Sequence, residues 1–120
     1  MSFDVFVKRM PQFTRVRIKG ELTFDQLIST VHLMGIESAT WDHAAVLVDL
    51  RGIVSQFTPA EQFRLGQEAA ASLPHMRRIA SLVPADRLTR ISEKAAKRDG
   101  SNVQVFDDEA EAIAWLKEKA

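Results

Sequence analysis

The sequence predicts a small α/β domain with the element order β-β-α-β-α-β-α-β-α and a mostly parallel five-stranded sheet whose first strand is antiparallel. A valine-rich apolar run at Ala44–Leu50 is typical of a central strand that is covered on both faces. Capping-box patterns at Thr23–Gln26 and Thr58–Glu61 mark the starts of two helices. The chain has 120 residues, the size of one domain, and we expect a single domain over residues 1–120.

The N-terminal part of the chain predicts a hairpin followed by a helix. Residues 3–7 and 13–18 alternate apolar and polar side chains on either side of a short turn, which indicates two antiparallel strands. Thr23 and Gln26 then begin the first helix. We expect that helix to end at Gly35, because glycine is common just beyond a helix C-terminus.

The rest of the chain alternates strands and helices around the central strand. After the second helix, strands are expected at 79–83 and 102–106. Between them the pattern predicts a third helix that is capped by Asp86 and closed by Gly100. The chain ends in a helix whose acidic start, Asp107–Glu111, suits the positive end of the helix dipole.

Composition excludes several classes of protein. Sixteen basic residues balance sixteen acidic ones, so no overall charge draws the chain to nucleic acid, and we expect no nucleic-acid partner. There is no cysteine, which fits a reducing compartment. The longest apolar run, Ala44–Val48, is far shorter than a membrane span, and the start of the chain lacks a signal-peptide pattern. We therefore expect a cytoplasmic protein without a membrane span.

The residue types that perform catalysis do not occur in recognisable patterns. His32, His43 and His75 are too scattered for a metal site or a catalytic triad. The five glycines do not form a phosphate-binding or dinucleotide-binding loop. We therefore expect no catalytic, metal-binding or cofactor-binding residues, no cofactor, and a protein that is not an enzyme.

Basic side chains concentrate in one part of the sequence. The spacing from residue 87 to residue 97 predicts one row along the third helix, which could bind an acidic protein, phospholipid headgroups or RNA phosphates. A solvated helix face is the simpler interpretation. The candidate anion-binding patch consists of Arg77, Arg78, Arg87, Arg90, Lys94 and Lys97.

Two stretches of the sequence resemble a known family. The segment Val46-Leu47-Val48-Asp49-Leu50-Arg51-Gly52, followed by a capped helix, resembles STAS domains, the fold of anti-sigma-factor antagonists. The ending from Val105-Phe106 and its acidic turn to Trp115-Leu116 is similar to the SpoIIAA-like branch, also called STAS/CRAL-TRIO-like. The resemblance covers most of the chain and implies a non-enzymatic interaction or regulatory module.

The resemblance also implies a position for a regulatory switch. Such antagonists are phosphorylated on a serine, usually after an aspartate, at the start of the helix that follows the central strand. Counting from Asp49 places this position at Thr58, where the preceding residue is Phe57 rather than an acid. Because capping explains Thr58, we expect the usual phospho-switch to be missing, with Thr58 first and Ser55 second as candidate phosphorylation sites.

Two functions remain open from the sequence. The first is a protein-binding module, with a protein partner or a second copy of the chain bound at the loop and helix that follow the central strand. The second is a binder of a small apolar or lipid-like ligand in a groove at the carboxyl end of the sheet, with nearby basic residues at the ligand's polar end. The candidate interaction surface consists of Arg51, Ile53, Val54, Gln56, Phe57 and Phe63.

Overall fold

Strands and helices follow one another in the predicted order in the computed structural model, which describes residues 2–118. The elements are β1 (Phe3–Arg9), β2 (Thr14–Gly20), α1 (Phe24–Glu37), β3 (Ala45–Ile53), α2 (Pro59–Ser72), β4 (Arg78–Leu82), α3 (Ile91–Arg98), β5 (Val103–Phe106) and α4 (Glu109–Lys117). Short 3-10 helices occupy Ser38–Thr40 and Ala85–Arg87.

The sheet has the strand order β1-β2-β3-β4-β5. β1 and β2 are antiparallel, whereas every later pairing is parallel, so the predicted sheet is confirmed. The apolar strand β3 lies in the middle. Val46 and Val48 pack into a core on one face of the sheet, and Ala45 and Leu47 pack into a core on the other. The unbroken apolar run therefore reflects burial on both faces.

The two faces of the sheet carry unequal helical layers. The larger core receives side chains from α1, α2 and α3, including Leu27, Leu65 and Ala96. The smaller core receives Ala112 and Leu116 of α4, which lies against β3, β4 and β5. Over residues 2–118 no helix is both long enough and apolar enough to span a membrane.

Both predicted capping boxes are present. The Thr23 hydroxyl accepts the backbone N–H of Gln26 at 3.1 Å, and the Gln26 side chain accepts the N–H of Thr23 at 2.8 Å. Thr58 and Glu61 repeat the arrangement at 3.1 and 2.9 Å. These local bonds satisfy backbone donors that a helix start leaves free, so short-range sequence patterns place both helix starts.

The first helix does not end at Gly35, as the sequence predicted. α1 continues to Glu37, and Gly35 lies against the carbonyl group of Ser72 at the end of α2, where a side chain would collide. The missing side chain thus allows two helices to approach closely. It does not terminate the first one.

The predicted start of the third helix is also wrong. Asp86 lies in the 3-10 helix, and α3 begins five residues later at Ile91 without a side-chain cap. The guanidinium of Arg87 binds the backbone carbonyl groups of Ile53 and Ser55 at the end of β3 and just after it, which holds this segment apart from α3. The expected helix end is correct, because α3 ends at Arg98 and Gly100 has a φ of 87°.

Replacement of Gly66 tests the close packing of α2 on α3. A methyl group there would collide with the carbonyl oxygen of Ser92. We expect Gly66→Ala to lower the free energy of unfolding in urea by about 1–3 kcal/mol, as overpacking does. In an unconstrained helix the same change would raise stability by about 1 kcal/mol.

The exposed neighbour Gln67 supplies the control. Gln67→Ala lies on the same helix and should change the free energy of unfolding by less than about 0.5 kcal/mol. A Gly66→Ala protein that is more stable than the wild type would contradict the close approach of the two helices.

Candidate functional site: a cleft at the carboxyl end of the sheet

A cleft of about 280 Å³ opens where the central parallel strands end. Its apolar wall includes Leu27 of α1, Leu50 and Ile53 at the end of β3, and Leu65 of α2. The carboxyl ends of parallel strands are the usual ligand position in open α/β sheets. One of the two functions that the sequence leaves open places a ligand groove at this end of the sheet, and a cleft lies there.

Polar groups line the cleft beside this apolar wall. Ser81 of β4 and Ser92 of α3 contribute hydroxyl groups. The Gln62 side-chain amide donates to the Phe57 carbonyl oxygen at 3.0 Å, and its oxygen accepts the hydroxyl of Thr89. An apolar wall with a few positioned polar groups is typical of small binding sites.

Arg87 joins the two sides of the cleft. Its Nη1 donates to the carbonyl oxygens of Ile53 at 2.8 Å and Ser55 at 3.3 Å, and its Nη2 donates to that of Val54 at 3.4 Å. Its Nε–H is buried without a hydrogen-bond partner among the residues that the structure describes. Arg87 is thus a fixed cation in the cleft with one unsatisfied donor.

The loop formed by residues 54–57 is also held from its other side. The Ser55 hydroxyl donates to the Leu22 carbonyl oxygen at 2.8 Å and accepts the Leu22 N–H at 3.3 Å. The Phe57 ring packs edge-to-face on Phe24, with 5.8 Å between the ring centroids. Val54, between these anchors, is 66% exposed. The 54–57 loop is therefore fixed while it presents an apolar side chain to solvent.

Both candidate phosphorylation sites have hydroxyl groups in structural hydrogen bonds. Thr58 is exposed, and its hydroxyl caps α2 by accepting the N–H of Glu61. Ser55 is half-buried, and its hydroxyl bridges both backbone groups of Leu22. Ser55 could accept a phosphate only if this bridge opened, whereas Thr58 is accessible.

The residues of the predicted interaction surface are only partly brought together. Val54 and Gln56 are exposed on the 54–57 loop, next to the half-buried Phe57. Ile53 is buried in the larger core. Phe63 is half-buried on α2, and Arg51 bonds to Asp49 and Glu109 on the other side of the molecule.

The basic residues do not form the predicted row along one helix. Arg78 lies in β4, where it stacks on Trp115 with its guanidinium carbon 5.1 Å from the ring centroid. Arg87 lies in the cleft, and Arg90 donates to Glu93 at 2.8 Å and to the Val105 carbonyl oxygen at 3.2 Å. The remaining three members of the set are exposed: Arg77, Lys94 and Lys97.

A charged cluster on the opposite face was not predicted. Asp49 of β3 is only 3% exposed. Its carboxylate accepts Nη2 of Arg15 at 2.8 Å and the Nε, Nη2 and backbone N–H of Arg51, each at 3.0 Å. Glu109 at the start of α4 accepts both arginines, at 3.1 and 2.7 Å. The cluster therefore joins β2, β3 and α4.

The cluster shifts the ionisation of its members. Burial of Asp49 opposes ionisation, but hydrogen bonds from the side chain and backbone of Arg51 and the charges of Arg51 and Arg15 outweigh it. The pKa of Asp49 is therefore held below its ordinary value of 3.8. The hydrogen bond to Asp49, reinforced by the charges of Asp49 and Glu109, raises the pKa of Arg51 above its ordinary value. Asp49 and Arg51 therefore both stay charged near neutral pH.

The histidines contribute no metal site. His75 Nε2 lies 2.7 Å from the hydroxyl oxygen of the buried Ser38, which links the end of α2 to the end of α1. Within residues 2–118, no three His, Asp or Glu side chains are grouped so that they could hold a metal ion.

Comparison with known families assigns the chain to a class. The SpoIIAA-like family model matches residues 13–117, so the protein belongs to the SpoIIAA-like family. This match includes both the central-strand segment and the C-terminal segment that carried the resemblance, which is confirmed. No curated protein matches the chain.

Two solved structures resemble the chain to different degrees. An anti-sigma factor antagonist from Mycobacterium paratuberculosis has 13% sequence identity and a TM-score of 0.63, over 98% of this chain and 96% of that one. An uncharacterized protein of the DUF3478 family with a SpoIIAA-like fold, from Shewanella loihica PV-4, has 18% identity and a TM-score of 0.48, over 95% and 93%. The first of these shows that this fold is also that of an anti-sigma factor antagonist.

Replacement of Asp49 tests the charged cluster. Asp49→Asn leaves two arginines without their central acceptor, and we expect the free energy of unfolding at neutral pH to fall by about 2 kcal/mol. This is less than the ~3–5 kcal/mol typical of fully buried pairs, because Arg51 is partly exposed. Urea denaturation at a series of pH values measures the effect.

The pH dependence follows from the lowered pKa of Asp49. Its stabilising effect is complete above the ordinary value of 3.8 and is lost as the pH falls through the lower pKa of the folded state. Asp49→Asn should therefore lose less stability than the wild type on acidification, whereas the exposed-site control Asp42→Asn should behave as the wild type does. Identical acid profiles for the wild type and Asp49→Asn would contradict this.

Proposed function

We propose that this protein is a non-enzymatic binding module that recognises a protein partner through the cleft and the 54–57 loop. The observation that carries the proposal is the double anchoring of this loop, by Arg87 on one side and by Ser55 on Leu22 on the other. Val54 is presented on a fixed backbone. A fixed loop loses little conformational entropy when it binds.

The size of the cleft supports a partner that inserts a side chain. About 280 Å³ lies just below the usual range for small-molecule pockets and suits one large apolar side chain. The polar groups of Gln62 and Ser92 lie beside the apolar wall and can bond to the backbone of an inserted segment. The shared fold with an anti-sigma factor antagonist fits a protein as the ligand.

In this proposal the module works without the usual phospho-switch. The residue before Thr58 is Phe57, whose ring packs against Phe24, and the Thr58 hydroxyl is occupied in capping. A phosphate at Thr58 would sit comfortably at the N-terminus of α2. Its negative charge would therefore leave the loop in place and would not displace it.

Substitution of Val54 tests the binding surface. We expect Val54→Asp to abolish recovery of the specific partner in affinity capture from the host organism, quantified by mass spectrometry, because a charge would replace the presented apolar side chain. Leu33→Asp is the matched control, since Leu33 is 62% exposed on the outer side of α1 and should leave recovery unchanged.

Two outcomes would count against the proposal. One is a set of captured proteins that responds equally to Val54→Asp and Leu33→Asp, since the loop would then have no special role. The other concerns the switch, which Thr58→Glu tests in the same assay. Loss of partners with Thr58→Glu would show that a negative charge at Thr58 controls binding, contrary to the proposal.

A second candidate function is the binding of a small apolar carboxylate in the same cleft. The observation that favours it is the buried Nε–H of Arg87, a donor that a ligand carboxylate could satisfy. A narrower apolar space of about 50 Å³ shares the lining residues Leu27, Leu50 and Leu65 with the cleft, and could receive the end of an apolar tail.

Native mass spectrometry of protein purified from its own host separates this candidate from the first. If a carboxylate is bound, an added mass should be present in the wild type and lost in Ser81→Leu, because leucine at Ser81 would fill the cleft. Ser29→Leu is the control, as Ser29 is exposed on α1. A wild-type protein that carries no added mass would contradict the binding of a carboxylate and would favour a protein partner in the cleft.

A further inference from the structure

The outer edge of β1 lies open. β1 is the terminal strand of the sheet, and all its residues from Asp4 to Arg9 are exposed. Val5 and Val7 are each 40% exposed and Phe6 is 49% exposed. Sheet proteins usually protect such apolar edges from pairing with other chains. Within residues 2–118, nothing covers this one.

The hydrogen bonds of the hairpin show which backbone groups of β1 are free. The Met10 N–H donates to the Phe13 carbonyl oxygen, and the Glu21 N–H donates to that of Ser2. In an antiparallel pair these bonds alternate along the strand, so even-numbered residues of β1 bond to β2. Val5 and Val7 therefore direct their backbone N–H and C=O groups outward.

We propose that β1 pairs antiparallel with β1 of a second copy of this chain, in a two-fold register centred on Phe6. The two sheets then become one continuous sheet. Because the outward groups belong to odd-numbered residues, Val5 of one copy must bond to an odd-numbered residue of the other. A centre at Phe6 satisfies this by placing Val5 opposite Val7 of the second copy.

Charge selects this register over its neighbours. With the centre at Phe6, Asp4 lies opposite Lys8 of the second copy, and symmetry repeats the pair. A centre at Val5 would place Asp4 opposite Phe6, and a centre at Val7 would place Lys8 opposite Phe6. Opposite charges directly across a strand pair are stabilising. The strand is thus complementary to itself in one register only.

The surroundings of Lys8 strengthen the choice. Lys8 lies opposite Arg15 in the β1–β2 pair, and Phe6 lies opposite Arg17. Asp4 of a second copy would therefore bring an acid to the face of the hairpin that carries Lys8, Arg15 and Arg17. On the other face of the sheet, Val5 and Val7 of one copy would pack against Val7 and Val5 of the second copy, which removes apolar surface from water.

This dimer does not depend on the proposed partner. No residue of β1 is among those that line the cleft, so strand pairing leaves the cleft and the 54–57 loop open. The second copy would add a second cleft to the same particle.

Charge reversal tests the register by sedimentation equilibrium. Asp4→Lys and Lys8→Asp alone should each weaken dimerisation by about tenfold, because each creates two like-charged pairs. The double variant Asp4→Lys with Lys8→Asp restores both pairs and should dimerise as the wild type does. A general relief of positive repulsion would instead make Lys8→Asp dimerise more tightly, which would contradict the proposed register.

A proline tests the backbone pairing. The Val7 N–H points outward, so Val7→Pro removes a donor of the proposed dimer and none of the hairpin, and should give a monomer with retained folding by circular dichroism. Val7→Thr keeps the donor and should still dimerise. A wild-type protein that stays monomeric up to about 1 mM, or a dimer unaffected by Val7→Pro, would overturn the proposal.

Discussion

The carboxylate of Asp49 is the buried centre of a charged cluster that joins β2, β3 and α4 on one face of the sheet. It accepts Arg15 from β2 and Arg51 from β3, and both arginines also bond to Glu109 at the start of α4. Taking the charge of Asp49 out of water is unfavourable unless it is compensated, and here Asp49 meets two arginines, as Glu109 also does. Removal of one charged side chain leaves the others without their full set of opposite charges. The attachment of α4 to β2 and β3 on this face therefore depends on the whole cluster.

The opposite face is organised by close backbone approach. Gly35 of α1 allows the end of α2 to approach α1, and Gly66 of α2 allows α3 to approach α2. Neither position has room for a side chain. The helices leave open space at the carboxyl end of β3 and β4, where the cleft forms. Arg87 borders this cleft and donates a hydrogen bond to the carbonyl oxygen of Ile53 at the end of β3.

The charged cluster lies on one face of the sheet, and the cleft that we propose as the binding site lies on the other. The charges of the cluster are paired with one another, whereas the cleft retains an unsatisfied donor on Arg87 and an exposed Val54. The free edge of β1 lies apart from both. The two proposals therefore use separate surfaces of the molecule, the cleft for a partner and the edge of β1 for a second copy.

The sequence alone determined what depends on short-range patterns: the capped helix starts at Thr23 and Thr58, the doubly buried central strand, the order of elements along the chain and the family. The tertiary structure decided what depends on residues far apart in the chain. Arg87 lies outside α3 and binds the carbonyl oxygen of Ile53, which is 34 residues away in the chain. Arg15 bonds to Glu109, which is 94 residues away. The periodicity of a sequence shows which face of a helix or strand is apolar. It does not show which carbonyl group or carboxylate, far away in the chain, will bond to a buried arginine.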